Sequence, residues 1–354
     1  MSCQSGILLG IMVESDRRRK SVLQRYVKHL PPRMTLVGFT PSSIDWNKAR
    51  IRGLLLKNGR WVEGELPFPN VVYNRCYRLD ITTVQRMNHV LGTRWFNQAN
   101  GFNKLEIHEC LTRWLSPHLP PAWGYDKDAV PGLLNEHKLL YLKPCTGNLG
   151  RGVYRVERKD SGEIHIADHH TLPRVIVNSE ASLQDNIEDL IGSTPYLIQQ
   201  GVHVRKIQNR HFDIRILAQK NREGQWSVTA AVSRLAYSGC FNTSICEKVI
   251  PSTAALRHLY SPTEVKRMMK SLYDMSLRAA EIVETDTGNH LCEASVDFAL
   301  DTQGHPWVIE MNGKPDKGMY SGVSRHCKAV YTKPLQYAGY LGRRFSGRLP
   351  SVYG

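Results

Sequence analysis

The segment VDFALDTQGHPWVIEMNGKP, residues 296–315, constrains the fold more than any other stretch, because it reads as two apolar strands joined by a turn. A turn centred on Gln303 and Gly304 makes the strands antiparallel and sets Asp297 opposite Glu310, with Asn312 on the same face two residues along. Bare carboxylates so placed repel, so the arrangement makes sense around a cation, and oxygen ligands alone indicate Mg²⁺. The alternative is an ordinary half-exposed hairpin with a polar wet face, so other stretches must decide.

The stretch YLKPCTGNLGRGVYRVER places Lys143 at the end of one strand, Gly147, Asn148, Gly150 and Gly152 in a loop, and a second strand after it. It lacks the GxxxxGK[ST] pattern and no helix follows at once, which excludes a P-loop and a Rossmann fingerprint. A protein kinase is disfavoured because its lysine follows its glycine loop and neither HRD nor DFG occurs here. A glycine flap whose N–H groups approach a polyphosphate remains, with Lys143 neutralising phosphate oxygens, against the plainer reading of a glycine-rich turn.

In FDIRILAQKNREGQWSVTAAVSRLAY, Phe212, Ile214 and Ile216 alternate with Asp213, Arg215 and Leu217, as in a half-buried strand. A turn at Glu223 and Gly224 sets Asp213 opposite Arg234, with Arg215 beside them. Such strand-held arginines suit a carboxylate or a transferring phosphoryl group, unless they form only a surface pair.

The order of elements supports an α/β and α+β chain. GILLGIMV, SVLQRYVKHL and MTLVGFT open as strand, helix and strand of an α/β unit, and the pattern changes near residues 95–105, where KLEIHECLTRWL is helical. Short strands dominate from residue 139, interrupted by a helix that Ser261, Pro262 and Glu264 start and whose apolar stripe includes Val265, Met269 and Leu272. A hydrophobic content of 41% over 354 residues is globular. The N-terminal apolar stretch precedes the basic run, reversing the order of a signal peptide, and is too short to span a bilayer, so a cytoplasmic protein is expected.

Eight cysteines without a CxxC pair suggest neither zinc nor a disulfide framework. The net charge of +15 invites a polyanion, but it is spread out. The one dense run, Arg17 to Lys20, lacks interleaved aromatics, which favours a solvated loop or the steering of an anionic substrate over nucleic acid. His165, His169 and His170 in HIADHH likewise read as a solvated stretch rather than a metal site.

The lysine before a glycine flap, the extended YLIQQGVHV, the DxR strand, a later Arg and Asn, and then D…ExN together resemble the ATP-grasp superfamily, and within it the YheC/YheD family, described as spore-coat-associated. The resemblance rests on NKLEIHECL, YLKPCTGNLGRGVYRV, FDIRILAQKNREGQWSVT and DFALDTQGHPWVIEMNGKP, covering about residues 95–316. It implies an ATP-grasp fold, two α+β subdomains clasping ATP over 99–345, preceded by an α/β domain over 1–98 and followed by a basic tail over 346–354. It also implies that Lys104 and Lys143 are the nucleotide lysines, that residues 147–152 form the phosphate flap, and that Gln199, Gln200 and Val202 belong to the adenine hinge. Asp297, Glu310 and Asn312 become ligands for Mg²⁺, with Mn²⁺ as an alternative ion, and Arg215, Arg234 and Asn242 become the phosphate- and substrate-facing set.

Two departures stand out: the hinge has Gln-Gln where many members have an acidic ribose ligand, and ICEKV stands where a glycine pair is expected after Asn242. The implied activity is Mg²⁺-dependent ligation, in which ATP converts a carboxylate to an acyl phosphate that an amine attacks, with peptide-like substrates included. The alternatives are an ATP-binding coat or scaffold protein without ligase activity, and a basic polyanion-binding protein. The acid, the amine and the oligomeric state are not legible.

Overall fold

The computed structural model describes residues 6–320, 322, 323 and 327–344; the basic tail expected at 346–354 lies outside the described residues. Three sheets organise the chain. The first contains β1 (Ile7–Met12), β2 (Met34–Phe39), β3 (Arg50–Lys57), β4 (Arg60–Pro67) and β5 (Val71–Asn74), with two-residue strands at Ile44–Asp45 and Trp95–Phe96. Helix α1 (Asp16–Val27) connects β1 to its parallel partner β2, and β5 pairs with β1 in parallel on its other side, as an α/β unit requires.

After α2 (Lys104–Leu115), the second sheet is antiparallel and is built around β6 (Leu139–Pro144), β7 (Tyr154–Arg158), β8 (Ile164–Asp168) and, beyond α3 (Glu180–Ile191), β9 (Tyr196–Gln200). The third, also antiparallel, runs in the order β12, β11, β10, β13, β14, with β10 Arg210–Lys220, β11 Trp226–Ala236, β12 Cys246–Pro251, β13 Glu293–Leu300 and β14 Pro306–Asn312. Helix α4 (Pro262–Thr287) covers it, and α5 (Ala329–Arg344) follows.

Helix α4 begins as its residues dictate. The Ser261 hydroxyl accepts the Glu264 N–H, the Glu264 carboxylate returns to the Ser261 N–H, and Pro262 occupies the first turn. Val265, Met269, Leu272 and Met275 are buried in the core against Ile214, Ile216 and Val296. Helix α5 packs elsewhere: Leu335, Tyr337, Ala338 and Leu341 share a core with Leu9, Ile11 and Val71 of the first sheet. Among the described residues no helix is long and apolar enough to cross a membrane.

A buried ionic knot ties the first sheet to the third. Glu293 on β13 is fully buried and pairs with Arg75 at 2.7 Å and Lys317 at 2.6 Å. The Tyr73 hydroxyl donates to Glu293, Lys317 donates to the hydroxyls of Tyr26 and Tyr73 at 2.8 Å each, and Gln219 donates to Glu293 at 2.7 Å. Burial alone would raise the Glu293 pKa, but the charges of Lys317 and Arg75 outweigh it and hold the carboxyl below its ordinary value. A carboxyl depressed on folding adds stability above its unfolded pKa and loses it as pH falls through the folded value. Replacing Lys317 with Met should cost about 3 to 5 kcal/mol in urea unfolding at neutral pH, because it leaves a buried carboxylate short of charge. The same variant should lose most of the wild type's dependence of stability on acidification below the usual Glu range.

Candidate active site

The site lies between the second and third sheets, and both hairpins reach the expected pairing by an unexpected route. Asp297 does oppose Glu310, but nearer the turn Phe298 pairs with Val308 and Leu300 with Pro306, so the turn is tighter by one position and a bulge at Ile309 restores the register. The bulge lets the adjacent residues Ile309 and Glu310 both line the cleft. Likewise Asp213 opposes Arg234, while Ala218 pairs with Val228 after a shift beyond Leu217.

The carboxylates do not confront each other bare. Asp297 is buried and accepts from Arg215 Nε at 2.6 Å and from Arg234 Nη2 at 3.0 Å, with a second contact from Arg215 Nη2. Asp213 takes Arg234 Nε at 3.0 Å and the Thr243 hydroxyl at 2.6 Å. Burial would raise the Asp297 pKa, but the two guanidinium groups outweigh it and keep the carboxyl below its usual range. Glu310 pairs with Lys104 Nζ at 3.3 Å. Four groups expected from the sequence, Arg215, Arg234, Asp297 and Glu310, thus form two neighbouring clusters with compensating cations.

Lys104 is the first residue of α2, where Asn103 Oδ1 caps the helix by accepting the Leu105 N–H at 3.0 Å. Its ammonium also donates to the Gly147 carbonyl at 3.1 Å, linking helix, flap and hairpin. Lys143, on β6, donates to Gln199 Oε1 on the adjacent strand β9 at 2.5 Å. Burial pushes the Lys143 pKa down to about 8, with Lys104 adding to the effect and the negative charges of Glu310 and Asp297 opposing it.

The loop between β6 and β7 brings Gly147, Asn148, Gly150 and Gly152 over the cleft, and all but Gly152 line it. Gly150 adopts φ +64°, and a Cβ there would lie 2.1 Å from Asn242 Nδ2, so no side chain fits. Asn242 Nδ2 donates to the Gly150 carbonyl at 3.2 Å and to His169 Nδ1 at 2.9 Å. His169, read from the sequence as part of a solvated stretch, instead braces Asn242; His170 remains exposed. Gln199, Gln200 and Val202 also line the cleft, with Tyr141 and Phe241.

The sequence reading missed Tyr77, whose hydroxyl donates to Gly147 at 3.2 Å, and it gave His169 to a solvated stretch rather than to the site. Both act on segments distant from them in the chain, which no local pattern reveals. Among the described residues no three His, Cys, Asp and Glu side chains form a metal-holding group. The oxygen trio Asp297, Glu310 and Asn312 differs by including an amide, and it suits Mg²⁺ better than a transition metal. Asn312 stands across from Ser295, beside the Asp297–Glu310 pair, and among the described residues its buried Nδ2 has no hydrogen-bond partner, so that atom does not fix the orientation of the amide. Among the described residues Glu310 pairs with Lys104 alone, and it is partly exposed. Asp297 is already engaged by two guanidinium groups, so Glu310 and Asn312 offer the more open oxygens, and the set fits an ion that takes few protein ligands and keeps several waters.

Known proteins resemble the chain over most of its length. It is 28% identical over 321 residues to the endospore coat-associated protein YheD of Bacillus subtilis (strain 168), covering 86% of this chain and 70% of that one. It is 21% identical over 358 residues to the endospore coat-associated protein YheC of the same strain, covering 95% and 96%. The crystal structure of D-alanyl-alanine synthetase A from Vibrio cholerae O1 biovar eltor str. N16961 superimposes with a TM-score of 0.60 at 13% identity, covering 96% of this chain and 98% of the other, which shows a common fold. The sequence pattern of the family described as YheC/D like ATP-grasp matches residues 92–341. With an ATP-grasp fold and that match over most of its length, the chain belongs to the YheC/D-like ATP-grasp family.

Proposed function

We propose that the protein is a Mg²⁺-dependent, ATP-binding ligase that activates a carboxylate as an acyl phosphate for attack by an amine. The observation that carries this reading is the convergence of Lys104, Lys143, Arg234, Asp297 and Glu310, together with the glycine flap, on one cleft. In the same cleft, Tyr141, Val202, Val204 and Phe241 supply apolar walls suited to a purine, with the hinge residues Gln199 and Gln200 among the lining.

In the first step an oxygen of the acid attacks the γ-phosphorus and the bond to the ADP oxygen breaks. In the second the amine attacks the acyl carbon, inorganic phosphate leaves with the electrons of the C–O bond, and the nitrogen loses a proton. Lys143, Lys104 and Arg234 are placed to stabilise charge on the transferring group, Arg215 holds Asp297, and Asn242 fixes the flap that excludes water. Asp297, Glu310 and Asn312 would hold Mg²⁺, which supplies charge neutralisation of the terminal phosphates.

The names of the two relatives support a second reading, in which the nucleotide site serves an endospore-coat protein that does not ligate. ATP binding without ADP release across a screen of carboxylate and amine pairs would favour it.

Calorimetric titration of ATP should show Mg²⁺-dependent binding in the wild type, weakened by roughly tenfold or more in Glu310→Ala. Binding indifferent to both Mg²⁺ and the substitution would sink the metal assignment and favour a general polyanion-binding surface.

The pH dependence follows from Lys143. Phosphate favours the protonated ammonium, so affinity for ATP should fall as pH rises through about 8 and be flatter in Lys143→Met. An unchanged profile in that variant would remove Lys143 from the phosphate site.

A further inference from the structure

A second cavity, of about 540 Å³, opens beside the nucleotide cleft and shares Lys104, Arg234 and Glu310 with it. Seven cationic side chains face three carboxylates around its wall. The basic run of the sequence takes on a direction here. Arg19 turns inward to Glu63 at 2.6 Å, whereas Arg18 and, two turns on, Arg25 line the cavity from α1. Lys314 lines it from the segment after β14.

Behind the wall Glu293, Asp297 and Asp213 already answer Arg75, Arg215 and Arg234, so the charge left for a ligand is concentrated at Arg18 and Arg25. Glu14 is engaged by Lys314, by Arg18 at 3.1 Å and by the Tyr77 N–H at 2.9 Å. Asp316 accepts the Gly318 N–H at 2.9 Å, and Glu310 belongs to Lys104. Arg25 has no carboxylate partner among the described residues, and Arg18 is more than half exposed. Between the charges, Val22, Phe102, Val249, Met311 and Met319 give apolar wall.

We propose that this cavity receives the acid to be activated, and that this acid is a peptide-like chain bearing at least two carboxylates. One carboxylate lies at the edge shared with the nucleotide, near Lys104 and Arg234, and another lies against Arg18 and Arg25, with aliphatic stems on the apolar wall. Guanidinium groups match carboxylates in a planar fork, and a cavity of this size exceeds what a single small amino acid fills. The assignment rests on the ligase reading above and deepens it by naming the substrate class.

The test uses the full chain with Mg²⁺ and a non-hydrolysable ATP analogue, whose own titration is measured first. L-triglutamate, L-trialanine and a phosphoserine tripeptide are then titrated into the wild type and the double variant Arg18→Ala, Arg25→Ala, with folding checked by circular dichroism and thermal midpoint. Triglutamate is expected to bind roughly tenfold more tightly than trialanine and to lose roughly tenfold in the variant, the effect of one charge-assisted contact. Equal binding of triglutamate and trialanine, tighter binding of the phosphopeptide, or an unchanged double variant would overturn the proposal. So would failure of triglutamate to bind a protein that takes the ATP analogue, which leaves the nucleotide reading standing. Failure of the analogue itself overturns that reading instead.

Discussion

Strand β13 carries the carboxylates on which both the architecture and the site depend. Glu293 and Asp297 lie four residues apart, on one face of a strand buried along its whole length. Neither could remain ionised alone in that environment, so each dictates the placement of cations from other layers. Glu293 draws Arg75, the residue that follows β5 of the first sheet, and Lys317 from the segment after β14, while Asp297 draws Arg215 and Arg234 from β10 and β11. The strand fixes the first sheet against the third at one end and orients the arginines of the cleft at the other.

The free site is thereby close to electrically balanced, with every buried carboxylate already facing a cation. Charge pairs held by a rigid sheet cost little reorganisation when a polyanionic nucleotide arrives, because the guanidinium groups are fixed by the carboxylates behind them. The flap is held differently, by single hydrogen bonds from Lys104, Tyr77 and Asn242 to its carbonyls. Rigid charges under a lightly tethered loop form an arrangement in which one component can open without disturbing the other.

Much of this is legible in the sequence where local rules act alone. Alternation and turn residues are enough to pair Asp297 with Glu310 and Asp213 with Arg234, and the cap at Ser261 announces α4. In both hairpins the turn is misjudged by one position and the bulge is missed; the two errors cancel, so the pairing is right although its cause is not. Alternation cannot reveal which charges neutralise Asp297, because that depends on the third strand, β10, lying alongside. The ionic knot at Glu293 and the bracing of Asn242 by His169 are invisible for the same reason: they join residues far apart in the chain, and no motif marks them. The basic run at Arg17 to Lys20 is ambiguous until α1 gives each side chain a direction.

The return of α5 to the first sheet has a consequence for how the chain is made. One face of β1 is covered by Leu335, Ala338 and Leu341, residues that leave the ribosome long after Leu9 and Ile11. Until they arrive, the opening α/β unit exposes an apolar face it cannot bury by itself, and its first strands wait as an unfinished core. A strand made early in this chain is therefore sealed only when a helix made much later reaches it.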